Sequence, residues 1–131
     1  MKKTGVLNQE LSRVIAGMGH RDSIVICDAG LPIPASACRI DLALEKDLPS
    51  FLDTVRVILS ELQVEEAVIA SEMGKSSPQI RARLLELLPG VSLREVSHEQ
   101  LKLLCIPAKA VVRTGEFTPY ANVVLFSGVS F

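Results

Sequence analysis

Four consecutive residues, Ile24-Val25-Ile26-Cys27, are apolar and mostly β-branched, and no other feature narrows the possible folds as much. A strand with no polar alternation has no face left for water, so it is buried on both sides. Burial on both sides demands a layer above and a layer below, which helices packed on a parallel sheet supply. A second run of the same kind, Ala67-Val68-Ile69-Ala70, repeats the requirement.

The segments between these runs have helical spacing. Asn8 is placed to cap a helix whose apolar residues Leu11, Val14, Ile15 and Met18 recur at i, i+3, i+4 and i+7. Gly19 is its expected stop, which leaves His20 just past a helix end. Ser50, with Asp53 at the third helical position, opens a second helix carrying Phe51, Leu52, Val55, Leu59 and Leu62 on one side. Ser77-Pro78 opens a third with Ile80, Leu84, Leu87 and Leu88 toward the core, and Pro89-Gly90 stops it. Val91 to Val96 reads as a strand, and Ser97 with Gln100 is a capping-box pattern that starts a further short helix, ended by Pro107. Lys109 to Thr114 and Asn122 to Phe126 read as the last two strands; their link is short enough for an antiparallel pair and leaves a crossover open. This alternation predicts an α/β fold: a single layered domain over residues 1–131 with a mainly parallel sheet flanked by helices. Ligands of such sheets gather at the carboxyl ends of strands, and Asp28 ends the first one.

Composition removes several functional classes. With a formal net charge of −1 the chain lacks the electrostatic footprint of a nucleic-acid or anionic-membrane binder. No stretch approaches the roughly 18 apolar residues of a membrane span, and Thr4-Gly5 and Asn8-Gln9-Glu10 interrupt any export signal after Lys2-Lys3. Three cysteines without a CxxC spacing point to reduced thiols, a cytoplasmic setting and no metal. Among them Cys27 reads as a small buried hydrophobe. Phosphate-cradling and serine-hydrolase motifs are absent, and Gly17-Met18-Gly19 ends a helix instead of joining a strand to one, so no nucleotide cofactor is expected.

The polar residues that remain have two readings each. His20 carries an imidazole, the side chain suited to proton transfer, or it meets the last carbonyls of the helix before it. Asp28 accepts hydrogen bonds from ligand hydroxyls, or closes an Asx-turn. His98 and Lys102, four apart on one helical face, present two donors to a ligand or lie in a solvated surface. Tyr120 and Asn122 offer a phenol and an amide to a polyol, or serve a turn. Asp41, Glu45, Lys46 and Asp47 read as a solvated helix end or loop.

Taken together, GHRDSIVICDAGLPIP (residues 19–34), CRIDLAL, VSHEQLK and the C-terminal TGEFTPYANVVLFSGVSF resemble the sugar mutarotase family of ribose pyranases and fucose mutarotases, and within it the ribose branch, along essentially the whole chain. The resemblance implies interconversion of β-D-ribopyranose and β-D-ribofuranose without a cofactor, with His20 as proton donor and Asp28, His98, Tyr120 and Asn122 on the sugar. It makes Lys102 a site-lining residue and implies a cytoplasmic ring-shaped homo-oligomer, typically a decamer, with sites near subunit boundaries. Two other functions stay open at this stage: a ribose-binding module that leaves the sugar unchanged, and a mutarotase of the fucose type.

Overall fold

The computed structural model describes residues 1–131. In chain order the elements are α1 (Gln9–Gly17), β1 (Ser23–Cys27), β2 (Arg39–Asp41), α2 (Phe51–Leu59), β3 (Val64–Ala70), α3 (Glu72–Ser76), α4 (Pro78–Glu86), β4 (Ser92–Val96), α5 (His98–Leu104), β5 (Ala110–Arg113) and β6 (Val123–Ser127). The six strands form one sheet in the order β2-β5-β1-β6-β3-β4. Five run in one direction and β6, between β1 and β3, opposes both of its neighbours. The mainly parallel α/β sheet expected from the sequence is therefore present.

Pleating divides the apolar strands between two cores. Ile24, Ile26, Ala67, Ile69, Ala110, Val112, Val123 and Leu125 face Leu11, Val14 and Ile15 of α1, Phe51, Val55 and Ile58 of α2, and Leu84 of α4. The alternate residues Val25, Cys27, Val68, Ala70, Val111 and Val124 face Leu31, Leu101 and Cys105. Each fully buried aliphatic side chain adds about 1.5–3 kcal/mol, so the double-sided burial of β1 explains why it sits near the centre of the sheet.

The caps form as the sequence requires. Asn8 accepts from the Leu11 amide, Ser50 from the Asp53 amide, and Ser97 and Gln100 make a reciprocal capping box. Three expectations change. β5 and β6 run in opposite directions but do not pair, because β1 lies between them; residues 114–122 easily cross the roughly 9.6 Å of two strand spacings. α1 ends at Gly17 with Met18 as cap, and the left-handed residue is Arg21, φ 68°, because the Gly19 amide is held by the Asp22 carboxylate. Asp41, expected in a solvated helix end or loop, instead ends β2, an edge strand in which only Ile40 is buried, while Glu45, Lys46 and Asp47 lie in the loop that follows.

Candidate active site

Opposing direction gives β6 its importance. The amino end of β6 lies at the edge where the other five strands have their carboxyl ends, so Tyr120 and Asn122 meet residues that follow β1, β4 and β5. There the Asp28 amide donates to Asn122 Oδ1 at 2.9 Å, and Asn122 Nδ2 donates to Asp28 Oδ2 at 3.0 Å. The other Asp28 oxygen accepts from the Gly30 amide at 2.9 Å. Asp28 thus closes an Asx-turn and still borders an open cleft of about 530 Å³, lined also by Leu31, His98, Arg113, Glu116 and Tyr120.

His98 stands at the start of α5, where its amide donates to Glu72 Oε2 at 2.6 Å. Its ring meets Tyr120 edge to face, with centroids 5.0 Å apart and planes at 83°. Tyr120 holds a left-handed backbone, φ 62°, a conformation that costs a non-glycine residue about 1–3 kcal/mol. His98 Nδ1 is buried without a hydrogen-bond partner in the chain. A buried polar atom left so is worth about 1–3 kcal/mol to whatever satisfies it, and a sugar hydroxyl both donates and accepts.

The charges around the cleft are mostly committed to the protein. Arg113 donates from Nε to the Ala29 carbonyl at 3.0 Å and from Nη1 to both Asp41 oxygens. Glu116, 7% exposed, accepts from the Phe51 amide at 3.0 Å and from Thr118 Oγ1 at 2.8 Å. Neither residue was singled out from the sequence, where an isolated acid in a loop and an arginine ending a strand carry no signal. Lys102 shares the helix with His98 but pairs with Glu99 at 2.7 Å and does not line the cleft. No group of three or more His, Cys, Asp or Glu side chains stands close enough to hold a metal ion.

His20 lies elsewhere. It precedes β1 whereas Asp28 follows it, and a five-residue strand is about 17 Å long. Its side chain is 53% exposed, and Nε2 stands 2.9 Å from Glu65 Oε2; the carbonyl of Ile15 near the helix end is taken by Met18. The turn that presents it is tightly fixed: Gly19 and Asp22 bond each other, the Arg21 amide donates to the Ser127 carbonyl, and the Ser127 amide donates to that of Asp22. Ser127 Oγ also donates to the carbonyls of Gly19 and Asp22. Within one chain, then, Asp28, His98, Tyr120 and Asn122 come together and His20 faces outward from the opposite edge.

Known proteins show the same arrangement of chain. A protein of Chloroflexus aggregans named D-ribose pyranase is 62% identical over 131 residues, and one of Coprothermobacter proteolyticus with that name is 60% identical, each pair covering both chains completely. The solved structure of Bacillus subtilis RbsD complexed with D-ribose superposes with a TM-score of 0.97 at 47% identity, covering 100% of both chains. The fucose mutarotase of Streptococcus pneumoniae, solved with L-fucose, shares the fold with a TM-score of 0.81 at 23% identity over 95% of each chain. The profile of the RbsD / FucU transport protein family matches residues 1–130, and the chain belongs to that family.

Proposed function

We propose that the chain is a D-ribose pyranase, an isomerase that interconverts β-D-ribopyranose and β-D-ribofuranose. The observation that carries this reading is the convergence of Asp28, His98 and Tyr120, distant in sequence, on one cleft, with the buried Asn122 bonded to Asp28 behind it, in a chain that matches the ribose-bound RbsD over its whole length. Residues 1–131 act as one mutarotase domain.

The reaction needs proton transfer and positioning. A proton goes to the ring oxygen as the C1–O5 bond breaks, the anomeric hydroxyl loses its proton as C1=O1 forms, and rotation lets the 4-hydroxyl attack C1 with the reverse proton movements. Positioned acid–base groups supply about 10²–10⁴-fold of such a reaction. His20 is the acid toward the ring oxygen. Asp28 and His98 Nδ1 hold hydroxyls, Asn122 fixes the Asp28 carboxylate, and Tyr120 bounds the polyol. Lys102, held by Glu99, receives no sugar contact in this scheme.

Because His20 and Asp28 occupy opposite sheet edges, His20 serves the cleft of a second copy. An interface in which the His20 edge of one chain meets the Asp28 edge of the next is head-to-tail, the kind that generates a ring when its rotation closes. We assign the chain to a cytoplasmic decamer of that kind.

Saturation-transfer proton NMR on equilibrated D-ribose tests the reading. Wild-type protein accelerates exchange between pyranose and furanose signals, and His20→Ala and Asp28→Asn chains are each inactive alone. Mixing the two after dissociation and reassembly restores part of the exchange. Ribose binding without exchange would leave a binding module, exchange confined to L-fucose would give a mutarotase of the fucose type, and mixtures that stay inactive would remove the shared site.

A further inference from the structure

A carboxylate next to an exposed histidine is ordinarily a weak surface ion pair, but the one beside His20 is delivered by a backbone irregularity. On β3, Val64 pairs with Ser127 and Glu66 with Phe126, so one extra residue, Glu65, is bulged out between them. Successive residues of a regular strand point to opposite faces, yet Glu65 Oε1 and Glu66 Oε2 both accept from Arg21 Nη1 at 2.9 Å. The bulge turns Glu65 to the side where His20 stands; re-aiming a side chain beside a functional site is what bulges commonly do.

The carboxylate is then braced. Arg21, stacked at 5.0 Å over the Phe126 ring, holds one oxygen while His20 meets the other, and Glu66 is tied in turn to Arg94 at 2.9 Å. Donation from Arg21 and then from His20 keeps the Glu65 carboxyl below its ordinary range, so it is ionised at neutral pH. Gly128 leaves the space: a Cβ there would stand 3.1 Å from Glu65 Cβ and 3.5 Å from Oε2.

We propose that Glu65 is the positioning residue of His20, and that by taking the Nε2 proton it leaves Nδ1 as the ring nitrogen that works on the sugar. This rests on His20 being the proton donor. An ionised carboxylate only accepts hydrogen bonds, so Nε2 must carry hydrogen whenever the contact is made. The neutral ring then has its lone pair at Nδ1 and the imidazolium its second proton there, so one nitrogen both gives the proton and receives it back. Glu65 stays bonded to Nε2 in both states, as the orienting acid of a catalytic histidine does.

The test compares ribose exchange in the assembled wild type, Glu65→Gln, Glu10→Gln and His20→Ala, with imidazole nitrogen spectra of the chain's two histidines. Glu65→Gln lowers kcat about tenfold or more with KM unchanged, and adds nothing to the loss in His20→Ala. Glu10→Gln, which removes the same charge from a carboxylate that pairs only with Arg13 on α1, retains wild-type kcat. The wild-type spectrum shows neutral His20 protonated at Nε2, and Glu65→Gln redistributes the tautomers. Full exchange in Glu65→Gln beside an inactive His20→Ala would overturn the proposal, as would equal losses in the two glutamine variants. Exchange retained in His20→Ala would instead overturn the catalytic assignment, while a wild-type ring protonated at Nδ1 would refute the Glu65 contact on its own.

Discussion

Asn122 and Asp28, 94 residues apart, bond each other twice, amide to side chain and side chain to side chain. Asn122 is wholly buried, so removing it leaves the Asp28 amide without a partner. Asn122→Ala should lose about 1–3 kcal/mol of stability and weaken ribose binding, since the Asp28 carboxylate is no longer held toward the cleft. Urea denaturation and a ribose titration check the two effects; unchanged affinity would remove Asn122 from the site.

Gly115 tolerates no side chain. A Cβ there would lie 2.5 Å from the carbonyl oxygens of Glu45 and Leu48 and 2.6 Å from the Leu48 nitrogen, all backbone atoms that cannot swing aside. Its own amide donates to Pro49, and its carbonyl accepts from Asp47. Gly115→Ala should therefore destabilise by about 1–3 kcal/mol and disturb the neighbouring Glu116–Phe117 wall of the cleft. A urea midpoint equal to wild type would show that the 45–49 turn shifts freely.

Acid should weaken the fold through a few identified carboxylates. Asp22 is held low by the Gly19 amide and then Lys109, Glu61 by the Val6 amide, Glu65 by Arg21, and Glu66 by Arg94. A carboxyl depressed in the folded state adds stability above its unfolded value, near pH 4, and that stability disappears as pH falls through the lower folded value. Urea midpoints should hold steady from about pH 7 to pH 5 and fall below about pH 4. Asp22→Asn, lacking one such group, should fall less steeply; a curve of wild-type steepness would exclude Asp22 as a contributor.

Cys27 should resist alkylation in the native protein. It is fully buried, and burial is the main cause that pushes its thiol far above the ordinary range; burial likewise raises Cys105, to about 11. Since the thiolate is the reactive form, iodoacetamide at neutral pH should leave both unmodified until denaturant is added. Rapid native alkylation of Cys27, read by peptide mass, would show that the second core opens locally.

What could be read from the sequence was local or strongly patterned. The Ile24–Cys27 run announced a strand buried on both faces, and Asn8, Ser50 and Ser97 marked helix starts, because a cap and the face it precedes lie within a few residues. β2 was missed since three residues with one buried side chain give no periodic signal. The insertion of β1 between β5 and β6 depends on pairing between distant segments, which alternation of apolar residues does not encode. For the site, the chemistry of Asp28, His98, Tyr120 and Asn122 made each nameable, but only the family resemblance put them on one sugar, because nothing in their spacing encodes contact between residues up to 94 apart. Glu65 was invisible for a related reason: its direction is set by a bulge against β6, and a one-residue register shift leaves no mark in the order of residues.

β6 is tied at both ends, by Asn122 to Asp28 at one edge and by Ser127 to the turn carrying His20 at the other. Its five residues therefore act as a fixed-length spacer. Adding or deleting one residue inside the strand would reverse the facing of everything beyond the change and detach one edge or the other, whereas the same change at the exposed Ala35-Ser36 would only alter the length of a loop. Length is therefore free to change at such exposed loop positions but not along β6, and an engineer seeking to insert a tag or a second domain should look there.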